Sequence, residues 1–217
     1  MNILIGILSI ILIFSSVVLL EKYFGKNGLY VWIGVATITA NIVVCKTINI
    51  LGLTSAVGNV MFTSVFLASD ILNEKYGKKD AQRAILLGTL ASIIFMIATQ
   101  LTLLYIPDQT DVAHNAMTTL FSLNVRTTIA SVILYFISNI VATYLYDKWK
   151  KVFHTLFRNN LVMIICNCTE NFLFAFFAFA GILELPVILS IALTGTLIEF
   201  VVTLTTTPFM HIVTRRK

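Results

Sequence analysis

The stretch Phe66-Leu-Ala-Ser-Asp-Ile-Leu-Asn-Glu-Lys-Tyr-Gly-Lys-Lys-Asp80 places an acid inside an apolar run and then ends that run with lysines. Asp70 has apolar neighbours, and Glu74 follows it about one helical turn later. An ionised carboxylate is almost never buried in a protein core without a partner. The stretch therefore indicates either an acid with a functional partner or a helix end where carboxylates and lysines meet water.

The composition of the whole chain is that of an integral membrane protein. Of its 217 residues, 58% are hydrophobic and 12% are charged, whereas soluble domains carry about 25% charged residues. The net charge of +5 does not predict a nucleic-acid partner, because the basic residues fall in short clusters between apolar runs. All three cysteines lie in apolar segments, which predicts reduced thiols, no disulfide framework and no metal site.

The apolar runs predict an all-α, polytopic membrane helix bundle with seven spans. A helix of about 20 apolar residues crosses the hydrocarbon core of a bilayer. The first run has no basic residue before it and no cleavage site after it, so a helix fits it better than a signal peptide. Residues 116–123 are left open as a short interfacial helix or a loop, and 52–55 are expected to form a turn. The predicted helices cover 2–20, 30–48, 56–73, 82–105, 125–146, 161–180 and 186–213.

The basic residues predict how this bundle is oriented. Thirteen of the fifteen lysines and arginines lie after the first, third, fifth and seventh predicted helices, which is one side of the membrane. The positive-inside rule then predicts a multi-pass protein of the cell (inner) membrane with its amino terminus outside and its carboxyl terminus in the cytoplasm. Lys46 and Arg126 are the two exceptions. They either extend to the outer interface or act as counter-ions for buried acids or substrate.

Polar side chains inside the predicted spans are the candidate functional residues. A charge at the bilayer centre costs about 2.5 to 3.5 kcal/mol on insertion scales, so each such residue needs a compensating role. The alternative for an amide is a helix-to-helix hydrogen bond, worth about 0.6 kcal/mol in membranes. The candidates are the acids Asp70, Glu74, Glu170 and Glu199, the cations Lys46 and Arg126, and the amides Asn41, Asn59, Gln100, Asn139, Asn167 and Asn171.

Helical spacing groups some of these candidates. Asp70 and Glu74 are four positions apart, and Asn167 and Glu170 are three apart, so each pair lies on one helix face. The chain contains no Gly-x-Ser-x-Gly, no His-Glu-x-x-His and no phosphate-binding glycine loop. We therefore expect no enzyme and no cofactor, and charges buried in a helix bundle favour transport.

Several short segments are similar to the queuosine precursor transporter family, also called the vitamin uptake transporter family. The run from Ser69 to Gly77 is the most specific of them, and the likeness extends from about Tyr30 to the carboxyl terminus. Members have a six-helix core, so the resemblance implies an extra amino-terminal helix and loop at 1–27 and a six-helix core at 28–217. The segments are Thr39-Ala-Asn41, Phe66-Leu-Ala-Ser-Asp70, Asn73-Glu-Lys-Tyr-Gly77, Asn124-Val-Arg126, Ser138-Asn139, Asp147, Arg158-Asn-Asn160, and Asn167 with Glu170.

The resemblance implies import of 7-deazaguanine bases such as preQ0, preQ1 or queuine for tRNA modification. A carboxylate can accept hydrogen bonds from the ring N–H and the exocyclic amine of such a purine-like base, while an asparagine reaches its carbonyl or pyrrole nitrogen. We expect Glu170 and Asn167 to bind this edge of the base. Many family members have aspartate at the position of Glu170. The expected substrate-binding residues are Asn41, Arg126, Asn139, Asn167 and Glu170, with Phe66, Tyr135 or Phe172 stacking on the ring.

A second set of residues is expected to serve gating or coupling. Asp70 lies about two turns from the lysine cluster, which suits an inner gate better than a substrate site at the midplane. Family members vary at Glu199, so a shared role for this acid does not follow from the resemblance. The expected gating or coupling residues are Lys46, Asp70, Glu74 and Glu199.

Other functions remain open on the sequence alone. The nearest is a substrate-binding subunit of an energy-coupling-factor vitamin importer, because such subunits are also small six-helix bundles and Ala36-x-x-x-Ala40 offers a small-residue face. A membrane enzyme acting on lipid and a structural scaffold are the others. The expected partners are a purine-like base and the lipid bilayer, with no nucleic acid, and a homodimer is left open.

Overall fold

The computed structural model describes residues 1–149 and 155–214, with side chains only in part between 135 and 167 and after 202. The described chain is a helix bundle with one β-hairpin, which confirms the predicted helical class. Four of the described helices are long and apolar enough to cross a membrane, so the count of seven spans stays a prediction. The elements are α1 (Asn2–Val43), β1 (Thr47–Ile50), β2 (Leu53–Ala56), α2 (Asn59–Tyr76), α3 (Lys78–Leu103), α4 (His114–Lys148), α5 (Thr155–Phe179) and α6 (Leu185–Thr214).

Helix α1 reverses direction at Gly25. This residue has φ 57° and ψ −141° inside the helix, a combination that favours glycine. A straight helix of 42 residues would be about 63 Å long, yet Nδ2 of Asn2 donates a hydrogen bond of 2.8 Å to the carbonyl of Asn49, just beyond the far end of α1. The two halves of α1 therefore run side by side and correspond to the first two predicted helices.

Glycine is also needed at the contact between these two halves. A Cβ atom at Gly28 would lie 2.4 Å from the carbonyl oxygen of Leu20. The amino-terminal half is part of the bundle core, because Phe14 and Val17 are fully buried and the Phe14 ring meets Phe209 of α6 edge-on at 5.4 Å. The larger core cluster joins both halves of α1 to α2, α3 and α6.

The β-hairpin was not predicted. Strands β1 and β2 pair antiparallel with Thr47 opposite Ala56 and Ile50 opposite Leu53. Leu51 and Gly52 both have positive φ, 52° and 87°, as the two-residue turn of a tight hairpin requires. The predicted extension of the second helix to residue 48 is therefore wrong, and so are the predicted turn at 52–55 and the start of the next helix at 56.

Two further boundaries position the site. Helix α4 runs without a break from His114, so residues 116–123 belong to this helix and not to a separate interfacial element or loop. Helices α2 and α3 are joined by Gly77 alone, which has φ 95° and whose N–H caps α2 by donating to the carbonyl of Leu72 at 2.9 Å. Helix α2 packs against α1, α3 and α6, and α5 packs against α4 and α6.

Candidate functional site

A partly open cavity lies among five of the helices, α1, α2, α4, α5 and α6. It has about 560 Å³ of space free of atoms, part of it open to solvent. Phe62, Phe66 and Phe174 supply aromatic surface to its wall. The polar side chains that line it are Asn41, Asn59, Ser131, Glu170, Asn171 and Glu199.

Glycines bring the helices around this cavity close together. A Cβ atom at Gly58 would lie 3.1 Å from the carbonyl oxygen of Ala40, so the end of α1 touches the residue before α2. A Cβ atom at Gly195 of α6 would lie 3.2 Å from Oδ1 of Asn171 and 3.9 Å from Nδ2 of Asn59. The missing side chain at Gly195 therefore makes room for two amides from neighbouring helices.

Asn41 forms one polar wall of the cavity and joins α1 to α4. Its side chain is 3% exposed. Its Nδ2 donates to the carbonyl of Thr37 at 3.0 Å, and its Oδ1 accepts a hydrogen bond from Ser131 at 2.8 Å. The hydroxyl of Thr127 donates to the backbone carbonyl of Asn41 at 3.2 Å. Both ends of the amide are used, so Asn41 is held rigidly at the cavity wall.

The opposite wall carries an amide and a carboxylate that are paired across two helices. Nδ2 of Asn171 on α5 donates to Oε2 of Glu199 on α6 at 2.6 Å. Glu170 precedes Asn171 in sequence and also lines the cavity. Nδ2 of Asn59 is buried and has no hydrogen-bond partner within the described part of the chain. The wall thus combines a fixed carboxylate with an unused donor.

Comparison with known proteins identifies the family. A family model described as "Putative vitamin uptake transporter" matches residues 56–213. The chain belongs to this family. The transporter is also 35% identical over 202 residues to the "Probable queuosine precursor transporter" of Bacillus subtilis (strain 168), a match that covers 91% of this chain and 88% of the relative. No solved structure matches this chain. The family resemblance drawn from the sequence is confirmed, and the transporter is a multi-pass membrane protein.

The cavity contains three of the predicted binding and gating residues, and also Phe66, which was one of three residues predicted to stack on the base. Asn41, Glu170 and Glu199 all line the cavity. Asn41 and Glu170 were expected to bind substrate, and Glu199 was expected to serve gating or coupling. Asn139 of α4 and Asn167 of α5 were also predicted, but their side chains lie outside the described residues. Asn59 and Asn171 were candidate amides for which a helix-to-helix hydrogen bond was the alternative, and both line the cavity.

The other predicted residues lie outside the cavity lining. Arg126 is half-buried, and its Nε donates to the carbonyl of Phe177 at 2.6 Å, which holds α4 against α5. Lys46 is exposed in the turn between α1 and β1. Asp70 and Glu74 are exposed on α2. Nε2 of Gln100 on α3 donates to the backbone carbonyl of Phe121 on α4 at 3.1 Å. This is the helix-to-helix hydrogen bond that was the alternative to a functional role for Gln100.

A charged cluster at the end of α2 was missed by sequence reasoning. Glu21 is 4% exposed, and its Oε1 accepts hydrogen bonds from Nζ of Lys75 at 2.6 Å and from the hydroxyl of Tyr76 at 3.0 Å. Nearby, Asp80 pairs with Lys26 at 3.5 Å and accepts a hydrogen bond from Tyr30. Glu21 directly follows an apolar run in the sequence, which made it look like an ordinary helix end.

The loop between α3 and α4 is acidic and well organised. Oδ1 of Asp108 accepts hydrogen bonds from the hydroxyl and the N–H of Thr110 at 2.7 and 3.0 Å, and these bonds lower the pKa of Asp108. Oδ1 of Asp111 accepts from the N–H of His114 at 3.0 Å and so caps α4. Among the described residues, no group of three or more His, Cys, Asp or Glu side chains could hold a metal ion.

Proposed function

We propose that this transporter imports queuosine precursors, the 7-deazaguanine bases preQ0, preQ1 or queuine, for tRNA modification. The observation that carries the proposal is a cavity lined by carboxylates, amides and aromatic rings in a chain that is 35% identical to a protein named as a queuosine precursor transporter.

The chemistry of the cavity suits a flat, polar base. Carboxylates accept hydrogen bonds from ring N–H and amine groups, and amides can donate to a ring carbonyl. Phe62 and Phe66 lie one turn apart on α2 and both face the cavity, with ring centroids 5.8 Å apart. They offer apolar surface for the plane of the base. Ring stacking and directional hydrogen bonds together would select a purine-like ligand.

The proposal keeps the predicted roles of the residues around the cavity. Glu170 and Asn41 bind the substrate there, and Arg126, Asn139 and Asn167 complete the binding shell. Lys46, Asp70, Glu74 and Glu199 form the gating or coupling set. In support, Asp70 lies on α2 between Phe66 of the cavity and the Lys75 that pairs with Glu21, which suits a gate.

We also propose the membrane arrangement that the sequence predicts. It has seven spans, an extra helix and loop at 1–27 in front of a six-helix core at 28–217, an outer amino terminus and a cytoplasmic carboxyl terminus. The reversal at Gly25 supports this arrangement, because it turns α1 into two antiparallel halves. Lysines at the corner between α2 and α3 then lie at the cytoplasmic end.

An uptake assay tests the proposed function. The chain is expressed in cells that cannot make queuosine precursors, a 7-deazaguanine base is supplied at low concentration, and queuosine in tRNA is measured. We expect the wild-type chain to restore queuosine. A hydrogen bond to a charged group is worth about 1.5 to 3 kcal/mol, so Glu170→Gln should lower uptake by roughly 10- to 100-fold, and Asp70→Asn should slow it.

The matched control is Glu184→Gln, because Glu184 is exposed in the turn before α6 and lies outside the cavity lining. This variant should import at the wild-type rate. Failure of the wild-type chain to restore queuosine at normal expression would contradict the proposal. Full uptake by both Glu170→Gln and Asp70→Asn would remove these residues from the mechanism.

The same substrates separate a self-sufficient carrier from a subunit of an energy-coupling-factor importer. Proteoliposomes that contain only this chain are supplied with the base, and the amount trapped inside is measured. Uptake by the chain alone supports a carrier. Uptake that requires an added ATPase, together with copurification of that ATPase, would support the importer subunit.

A further inference from the structure

We infer that Glu199 and Asn59 form the part of the cavity that reads the edge of the base. In this assignment Glu199 accepts hydrogen bonds from the ring N–H and the neighbouring exocyclic amine, and Asn59 donates to the adjacent ring carbonyl. The inference rests on the proposed function and adds the chemical feature by which the substrate is selected. It also moves the edge contact from Glu170, where the sequence placed it, to Glu199, and so gives Glu199 a binding role in addition to the gating or coupling role proposed above.

The carboxylate of Glu199 is held ready for such a contact. Nδ2 of Asn171 donates to its Oε2 at 2.6 Å, which fixes the carboxylate on the cavity wall. Its other oxygen, Oε1, accepts no hydrogen bond from the residues that the structure describes. A carboxylate that is oriented by one amide and has an unused oxygen is well suited to accept N–H groups from a planar ligand.

Asn59 supplies the complementary donor. Its Nδ2 atom is buried and makes no hydrogen bond within the described ranges, although buried polar groups in native proteins are nearly always paired. A Cβ atom at Gly195 of α6 would lie 3.9 Å from this nitrogen and 3.2 Å from Oδ1 of Asn171. Glu199 follows Gly195 by one helical turn on the same face of α6. The unused donor and the fixed carboxylate therefore face one region of the cavity.

The pattern of hydrogen bonds defines the ligand class. A guanine-type edge presents an amine donor, a ring N–H donor and a carbonyl acceptor in a row. One carboxylate can accept from the first two groups while an amide N–H donates to the third. An adenine-type edge has an amine in place of the carbonyl and a bare ring nitrogen. The amine of such a base would face the amide N–H of Asn59, so that two donors meet. The lone pair of its ring nitrogen would face the carboxylate of Glu199.

The aromatic residues of α2 fit the same placement. Phe62 and Phe66 follow Asn59 by three and seven positions, so all three side chains lie on one face of α2, and all three line the cavity. A base whose edge meets Asn59 and Glu199 can place its plane against these rings. A site built to hydrogen-bond a ligand rejects analogues that leave its polar groups unpaired, by factors of about 10⁴ in favourable cases.

The test compares ligands on purified protein in lipid nanodiscs. Dissociation constants are measured for 7-cyano-7-deazaguanine, for its analogue without the 2-amine, and for 7-deazaadenine. Wild-type protein should bind the first ligand at least about 10-fold more tightly than the second and about 100-fold more tightly than the third. Equal binding of the first two ligands would overturn the assignment without any variant.

Two variants then locate the selectivity. Glu199→Gln should weaken binding of the 2-amino base about 10-fold or more and bind the analogue without the 2-amine nearly as well as wild type. Asn59→Leu should lose most of the preference for the carbonyl base over 7-deazaadenine. A merely structural role would weaken all three ligands together. The matched controls are Glu184→Gln and Asn115→Leu, because both residues are exposed and outside the cavity lining.

The outcomes separate this inference from the proposed function. Wild-type protein that binds and imports deazaguanine bases, with ligand preferences unchanged in both variants, overturns the assignment of Glu199 and Asn59 and leaves the transport function standing. If the preference for the base with the 2-amine is lost in Glu170→Gln and kept in Glu199→Gln, the assignment is also overturned and the transport function stands. Wild-type protein that neither binds nor imports any of these bases overturns the proposed function, and the assignment falls with it.

Discussion

Lys75, in the stretch from Phe66 to Asp80, has a buried partner that is far away in the sequence. Its Nζ donates to Oε1 of Glu21 at 2.6 Å, and 54 positions separate the two residues. The hydroxyl of Tyr76 donates to the same oxygen at 3.0 Å. Because Glu21 is 4% exposed, it depends on these two donors for its charge to be tolerated.

Replacing Lys75 should therefore destabilise the folded protein. In Lys75→Met, Glu21 keeps only the hydroxyl of Tyr76, and we expect a loss of about 2 kcal/mol of stability. The measurement is the thermal unfolding midpoint of the protein purified in detergent. Lys79→Met is the matched control, because Lys79 is exposed on α3 and forms no ion pair with the described residues. Equal midpoints for the two variants would show that the pair contributes nothing.

Single residues were predictable where their own sequence surroundings were unusual. Glu170, Glu199 and Asn41 interrupt apolar runs, and the cost of polar groups in a membrane requires a use for each of them. Asn59 and Glu21 lie at the ends of such runs, where polar residues are common. Their importance depends on Gly195 and Lys75, and no local pattern connects residues that are so far apart in the sequence.

At the level of elements, the β-hairpin sets the position of the start of α2. The N–H of Thr54 in β2 donates to the hydroxyl of Ser190 on α6 at 2.9 Å. The hydroxyls of Ser190 and Thr194 lie 3.2 and 2.7 Å from the carbonyl of Thr54. This contact docks the hairpin on α6, and it places Asn59, three residues after the hairpin, beside Gly195.

Removing this contact should affect both stability and binding. In Ser190→Ala, the N–H of Thr54 loses its acceptor, and we expect a loss of about 1 kcal/mol of stability and weaker binding of a 7-deazaguanine base. The unfolding midpoint and the dissociation constant are measured on the same preparation. Ser122→Ala is the control, because that exposed hydroxyl donates only to the carbonyl of Thr118 in its own helix. Unchanged binding in Ser190→Ala would show that the hairpin does not position the cavity.

The helices were predictable from long apolar runs, and the hairpin was not. Residues 47–50 follow the apolar run of α1 after Lys46, and so short a segment cannot be assigned to helix or strand by periodicity. The β-branched residues Thr47, Ile48 and Ile50, followed by Gly52, were the available signal. Helix α4 is continuous because its sequence from His114 to Lys148 contains neither glycine nor proline.

At the scale of the whole molecule, the cavity and the charged cluster belong to opposite ends of α2. Asn59, Phe62 and Phe66 bring the cavity to the first half of this helix. Lys75 and Tyr76 end it, and they bind Glu21 next to the pair of Lys26 and Asp80. If the lysines are cytoplasmic, the ion pairs close the inner end and the cavity lies toward the outer half, as an importer open to its substrate requires.

The orientation of α3 decides whether the cavity lies toward the outside or toward the cytoplasm, and it can be measured in intact cells. Cys45, Cys166 and Cys168 are first replaced by serine, and single variants Thr110→Cys and Lys79→Cys are then treated with a membrane-impermeant maleimide. Lys79 lies in the first turn of α3, and Thr110 lies in the loop that follows this helix. We expect Thr110→Cys to react in intact cells and Lys79→Cys only after permeabilisation, because the proposed arrangement places the lysines on the cytoplasmic side. The reverse pattern would place the cavity toward the cytoplasm and contradict the proposed direction, and labelling of both in intact cells would show that α3 does not span the membrane.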